Sequence, residues 1–340
     1  MLNEFRQDLV SGEWVLFSTE RSKRPNGDSK NKERFMQAKE NCPFEDPIAG
    51  SEGGPVLIYN KGHKVFKDQF DGYWTTVVIN NKYPALRRGI CGPTSQYGPF
   101  KVAQGNGFHE LVITKDHDRS FAHFSTEETS EVMSVYLDRF NQISKDSCGD
   151  YVEVFHNHGI SAGASISHNH SQILSTPILP PDIMGSIRGS MNYFNKFNGR
   201  VHKVLIDWEI HEGKRIIFEN KKFICFCPYV SKTPYEIRIF PKDPNPRFNS
   251  ILPEDVPLLA EALNASLKKL YIALDDPDYN FYIHTSPISE DLLLNYDFYH
   301  WHIEILPRIS RIGGFEIGTN IYINSVDPDE AAKLLKDTKI

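Results

Sequence analysis

The amino-acid sequence predicts an α+β fold, an antiparallel sheet with helices packed on one face, built from two repeated units. Three observations carry this. Two amphipathic runs at helical spacing stand 127 residues apart, each is followed by an extended run, and each extended run leads through a loop into a strand bearing His-x-His. The shift lays Lys115-Asp116 on Lys242-Asp243, Phe121 on Phe248 and Glu127-Glu128 on Glu254-Asp255, and Glu110 meets Glu236 with one residue of slack. Each unit therefore reads strand, helix, strand, loop, strand, and the pair can share one continuous sheet.

From the amino terminus, Gly12 to Phe17 reads as a strand, residues 18 to 55 as a Lys/Arg/Asn/Gly/Pro-rich surface arm, and Tyr73 to Asn80 as another strand. The first helix is expected over Glu127 to Ile143, with Val132, Val135, Tyr136 and Phe140 on one face. Tyr151 to Phe155 and Gln172 to Ser175 then flank a small-residue loop, and Pro177 to Arg200 reads as an irregular link into the second unit. There the helix covers Glu254 to Ala273, with Leu259, Ala262, Leu263 and Leu270 at helical spacing, followed by a strand over Tyr279 to His284 and the His300/His302 strand. The two units divide the chain into residues 1–195 and 196–340.

Composition narrows the function. With 340 residues, 40% of them hydrophobic, the chain can bury one large core or two smaller ones. A net charge of −6 argues against a broad nucleic-acid footprint. The charged amino-terminal residues do not form a secretory signal and no apolar run approaches membrane length, so the expected compartment is the cytosol. Cys42, Cys91, Cys148, Cys225 and Cys227 are odd in number and scattered, which fits reduced thiols, and all but Cys42 are expected to be buried or inert.

The chemistry is expected in the stretch from His156 to Gln172, which holds His156, His158, His168 and His170 around a Gly/Ala/Ser loop. Strand alternation lines up His168, His170 and Gln172 on one side. Backbone N–H groups and hydroxyls of the loop can cradle an anion while an imidazole nitrogen serves as nucleophile or ligand, a combination suited to phosphoryl or nucleotidyl transfer. In the second unit the loop is five residues longer, lacks glycine between Thr285 and Phe298 and adds carboxylates, so one copy is expected to catalyse and the other to support. Two other classes remain open: a nucleotide-sugar binding protein without turnover, and a pure metal site ligated by both His168 and His170.

With the loop and both His-x-His strands established, the chain resembles the galactose-1-phosphate uridylyltransferase family of the histidine-triad superfamily. The likeness extends through Ser11-Gly12-Glu13-Trp14-Val15, Cys42-Pro43-Phe44, Asn81 to Leu86 and Gly107-Phe108-His109-Glu110. In its last third, Gly313 to Asn324 is similar to the ADP-glucose phosphorylase branch. The resemblance implies two fused histidine-triad-like repeats and a ping-pong nucleotidyl transfer in which His170 attacks the α-phosphorus of a nucleotide sugar, with UMP passing to a hexose 1-phosphate; the alternative acceptor is inorganic phosphate. It assigns Gln172, Ser165, Asn157 and Gly163 to the phosphate cradle, Arg21 and Arg24 to phosphate, reached across a homodimer, and Asn81 to the ribose. Phe315, Gly318 and Asn320 would approach the sugar phosphate.

The same resemblance implies a structural zinc on Cys42, His117 and His168, with Glu45 standing where relatives carry a second cysteine. A second metal near His284, His300 and His302 is expected to be absent or altered, because its carboxylate would fall near Ser186 and no Cys-x-x-Cys lies around Val201. Asn169, in place of the proline usual between the two histidines, bears on substrate choice.

Overall fold

The computed structural model describes residues 2–23, 36–89, 92, 94–146, 149–288 and 296–340. Arg24, Cys91, Cys148 and most of the second loop lie outside the described residues.

In chain order the elements are β1 (Asn3–Gln7), β2 (Trp14–Ser18), β3 (Leu57–Asn60), β4 (His63–Val65), β5 (Thr76–Asn80), β6 (Ser95–Tyr97), β7 (Phe100–Val102), β8 (Phe108–Thr114), α1 (Thr126–Ile143), β9 (Tyr151–His158) and β10 (His170–Thr176). Then follow α2 (Pro181–Phe197), α3 (Val201–Glu212), β11 (Ile216–Glu219), β12 (Phe223–Phe226), β13 (Ile237–Pro241), α4 (Val256–Leu274), β14 (Tyr279–His284), β15 (His302–Pro307), α5 (Gly314–Thr319), β16 (Tyr322–Asn324) and α6 (Pro328–Asp337).

Eleven strands form one sheet in the order β11-β12-β13-β15-β14-β9-β10-β8-β5-β3-β4, and every pairing in it is antiparallel. The α+β expectation holds. The triplets β8-β10-β9 and β13-β15-β14 mirror each other about the β9–β14 seam, where Asn157 pairs with Asn280 and Phe155 with Tyr282. β1, β2 and β16 make a separate three-stranded sheet.

Both long helices follow from their sequences. Ser125 caps α1 by accepting from the Glu128 N–H, while its own N–H donates to the Glu128 carboxylate; Pro257 opens the first turn of α4. Their apolar faces bury Val132, Tyr136 and Phe140, and Leu259, Leu263 and Leu270, against the same sheet face as Val152, Val154, Ile173, Phe281 and Ile303. The Thr129 hydroxyl donates to Asn264 Oδ1 at 2.7 Å and joins the two helices inside this core. α1 and α4 thus cover one face, and the functional side chains line the other. α2 and α3 also pack on that second face, at a distance along the sheet, so the helices are not confined to a single face as expected.

Three further expectations need correction. Residues 177–200 are largely helix α2, because Pro181 presets its first turn and Ile183, Ile187, Met191 and Phe194 recur at helical spacing against Tyr151, Phe298 and Tyr299. The glycines within it masked that periodicity. Gly189 is there for a close approach, since a Cβ would lie 1.7 Å from the Val10 carbonyl oxygen. The arm expected over residues 18 to 55 is not all surface, for Cys42 and Phe44 are buried against Ile58, Val77 and Ile113. β10 begins at His170, so strand alternation aligns His170 with Gln172, and His168 stands just before the strand.

Candidate active site

The His170 ring is held at one nitrogen. Nδ1–H donates to the His168 carbonyl at 2.9 Å, which leaves Nε2 carrying the lone pair, and Nε2 has no hydrogen-bond partner among the described residues. Burial lowers the pKa of His170 below the usual imidazole value, so the ring is neutral at pH 7 and its lone pair available. Phe44 packs edge-on against it at 5.0 Å.

Two amides lie on the same sheet face. Gln172 follows His170 by two residues on β10, and Asn157 lies on β9 beside it, where β9 enters the loop. Asn157 Oδ1 accepts from Asn280 Nδ2 at 2.7 Å, and Gln172 Oε1 lies 2.8 Å from His109 Nε2. The loop turns at Gly159 (φ 84°) and Gly163 (φ 89°), both in backbone conformations that favour glycine. Gly163 lies close to Asn157, and Ser165 is exposed on the same loop. The second repeat braces this loop from behind: Asp278 accepts from the Ser161 N–H at 2.7 Å, and Asn280 Nδ2 donates to the Ala162 carbonyl at 2.8 Å.

Asn81 is joined to this group through His109, with Asn81 Nδ2 3.0 Å from His109 Nε2. His109 belongs to the quoted Gly107–Glu110 motif yet carried no assigned role. Its position on β8, on the face shared with Leu111 and two places from it, was the available signal.

The four residues expected around zinc converge. Cys42 Sγ lies 3.6 Å from His168 Nδ1, and Glu45 Oε1 lies 3.4 Å from His168 Nδ1 and 2.6 Å from His117 Nδ1. Bonds of about 2.0–2.3 Å to zinc put tetrahedral ligand atoms roughly 3.3–3.6 Å apart, so the cluster needs only small adjustment. Both histidines also have the outer support that metal ligands show: His168 Nε2 reaches the Thr114 carbonyl at 2.6 Å and His117 Nε2 the Gln37 carbonyl at 2.7 Å, which turns both Nδ1 atoms inward. The donor set fits zinc. His170 is not among these ligand atoms, which removes the pure metal-site alternative.

The second repeat copies the backbone logic and changes the chemistry. His300 Nε2 reaches the Pro241 carbonyl as His168 does that of Thr114, and His302 Nδ1 reaches the His300 carbonyl as His170 does that of His168. In place of Gln172 stands Glu304, 3.3 Å from His302 Nε2, so the counterpart nitrogen is engaged and the counterpart amide is a carboxylate that would repel phosphate. The expected trio is corrected as well: His284, His302 and Glu304 cluster, and His300 does not join them. This set does not fit a divalent ion. Glu304 already accepts from the Tyr282 hydroxyl at 2.7 Å and pairs with the buried Arg238 at 3.0 Å, while Lys232 pairs with Glu13 at 2.9 Å and Asp182 at 3.5 Å, so fixed cations occupy the electrostatic role of a metal. Glu304 was legible as the next period-two position after His300 and His302.

The remaining predicted contacts lie elsewhere. Arg21 sits in the turn after β2, and Phe315, Gly318 and Asn320 belong to α5 and its carboxyl end, where Asn320 Nδ2 donates to Glu13 at 3.0 Å. Phe315 is largely exposed. Among the described residues, none of these four makes a hydrogen bond or ion pair with the histidine loop. No helix among the described residues is long and apolar enough to cross a membrane.

Residues 1–180 match the galactose-1-phosphate uridyl transferase N-terminal domain, and residues 102–338 match a domain of unknown function, DUF4921. The chain is 34% identical to an ADP-glucose phosphorylase of Arabidopsis thaliana over 99% of its length and 93% of that protein's. It is 27% identical to a galactose-1-phosphate uridylyltransferase of Thermotoga maritima over 99% of both chains. A solved structure of an ADP-glucose phosphorylase from Arabidopsis thaliana with bound ADP-glucose superposes with a TM-score of 0.82 at 30% identity, covering 100% of each chain.

Proposed function

Because the chain belongs to the galactose-1-phosphate uridyl transferase family, we propose that it is a nucleotidyltransferase working through a covalent nucleotidyl-His170, with ADP-glucose as donor and inorganic phosphate as acceptor. The observation that carries the covalent step is the neutral, singly anchored imidazole of His170 with Nε2 unengaged. The 34% identity to an ADP-glucose phosphorylase and the likeness to a structure with bound ADP-glucose favour this donor. A second reading, UMP transfer from UDP-glucose to a hexose 1-phosphate, is favoured by the amino-terminal family match and by the Thermotoga maritima relative.

In the first half-reaction the Nε2 lone pair attacks the α-phosphorus. The bond from that phosphorus to the bridging oxygen breaks, glucose 1-phosphate leaves with the electron pair, and an N–P bond forms. The His168 carbonyl, accepting from Nδ1–H, stabilises the positive charge that grows on the ring. Gln172, Asn157, Ser165 and the backbone at Gly163 hold the phosphate oxygens with neutral donors. In the second half-reaction an oxygen of inorganic phosphate attacks, the N–P bond breaks, ADP leaves and His170 regains its lone pair.

Cys42, Glu45, His117 and His168 would hold zinc, whose bound charge serves to fix His168 and the loop beneath His170 while no step passes through it. The catalytic half is residues 1–195 and the supporting half 196–340. Arg21, Arg24, Phe315, Gly318 and Asn320 would act on the site of the other copy in a cytosolic homodimer, and Asn81 would hold the ribose.

The test uses ADP-glucose and UDP-glucose labelled at the α-phosphorus. Protein denatured in alkali, where phosphoramidates survive, should retain label from ADP-glucose, and His170→Ala should lose it while still binding nucleotide. Label from UDP-glucose alone selects the second reading, and label from neither removes the covalent mechanism.

A further inference from the structure

We infer that His109 and the Arg308–Asn280 pair are positioning residues that fix the two cradle amides with their NH2 groups toward the bound anion. The inference rests on the function proposed above. An amide beside a phosphate is useful only in one orientation, since its oxygen repels and its nitrogen donates. In each of the two cases a group of single polarity sets that orientation.

The first relay starts at the backbone. The Ala85 N–H donates to His109 Nδ1 at 3.0 Å, and a backbone N–H cannot accept, so the His109 proton sits on Nε2. Nε2–H then donates to Gln172 Oε1 at 2.8 Å, which turns the Gln172 NH2 away from His109. Asn81 Nδ2 also lies 3.0 Å from Nε2, with Asn81 Oδ1 held by the Tyr83 N–H at 2.9 Å. A neutral imidazole whose Nδ1 accepts must nevertheless carry its proton on Nε2, and Gln172 Oε1 is the acceptor that proton meets.

The second relay starts at a cation in the other repeat. Arg308 Nε, which can only donate, meets Asn280 Oδ1. Asn280 Nδ2 therefore faces the Ala162 carbonyl and Asn157 Oδ1, at 2.8 and 2.7 Å. With its oxygen taken, Asn157 presents Nδ2 to the loop, beside Gly163. The supporting repeat thereby sets the donor polarity of the catalytic one.

The experiment is a pair of double-mutant cycles read as the rate of His170 labelling from α-labelled ADP-glucose and UDP-glucose, on whichever labels the wild-type protein. His109→Phe should slow labelling about tenfold to a hundredfold, within the range seen when an oriented transition-state donor is lost. Adding His109→Phe to Gln172→Ala should slow it no further. His109→Gln, whose amide nitrogen reaches the place of Nε2, should restore most of the rate and so separate a lost donor from a damaged fold. Asn280→Asp turns a donor into an acceptor of equal size, and should slow labelling about tenfold alone and not at all on top of Asn157→Ala. Effects that multiply in the cycles, or His109→Phe at the wild-type rate with Gln172→Ala slow, overturn the inference and leave the cradle standing. Gln172→Ala and Asn157→Ala both at the wild-type rate overturn the cradle and the relays together, and absence of label on wild-type protein with both sugars does so for the covalent function beneath them.

Discussion

Gly159→Ala should cripple the loop by a route that can be sized. The position has φ 84° and ψ 163°, a region that residues with a side chain reach at a cost of about 1–3 kcal/mol. The new Cβ would also lie 1.9 Å from Asp278 Oδ1 and 2.2 Å from its Cγ, far inside contact distance. Asp278 can move aside only by surrendering the Ser161 N–H, a hydrogen bond to a charged group worth about 1.5–3 kcal/mol. Together the terms come to about 2.5–6 kcal/mol. With unfolding entropy near 2.1 cal/mol/K per residue, a 340-residue cooperative unit loses about 1.4 °C of Tm per kcal/mol, so a rigid loop predicts a fall of about 3.5–8 °C. If the loop shifts instead, Tm holds and His170 labelling falls at least tenfold. Calorimetry and the labelling assay on one preparation check both, and a variant that keeps its Tm and its labelling rate refutes the account of how Asp278 braces the loop.

Other outcomes follow from the same contacts. Metal analysis should find zinc with the purified protein; its removal by a chelator should lower Tm and labelling together, while Glu45→Cys, by replacing a hard ligand with a thiolate, should retain the ion at chelator concentrations that strip the wild type. Arg139→Met should destabilise the fold by about 3–5 kcal/mol in denaturant titrations, since Glu110, held by Arg139 at 2.6 Å and fully buried, would be left an uncompensated charge. His302→Ala should leave labelling within twofold of wild type, because its Nε2 is engaged by Glu304 and its repeat lacks a donor cradle.

The fold class and the histidine strands were legible because both are written in short-range patterns, whereas the cluster of Cys42, Glu45, His117 and His168, spread over 126 positions, was implied only by the family resemblance. Helical spacing in α1 and α4, and period-two histidines beside a glycine loop, survive without knowledge of tertiary contacts. α2 escaped notice because Gly185 and Gly189 dilute its apolar stripe, and the reason for Gly189 is a backbone 179 positions earlier in the chain, at Val10. His109, Asn280 and Arg308 were equally hidden: each is an ordinary strand or loop residue until the β8–β10 and β9–β14 pairings bring it behind an amide. In the second repeat, Glu304 was readable by spacing, whereas its neutralisation by Arg238 depends on the β13–β15 pairing.

The large sheet also ends in an informative way. Its outermost members are only three and four residues long, β4 and β11, and the register of β11 slips between Ile216 and Phe218. Stubs of this kind offer too few free N–H and C=O groups to template a neighbour, a common safeguard against fibre growth. Two copies of the chain would consequently have to meet through side chains, face or flank, and not by zipping their sheets into a longer one.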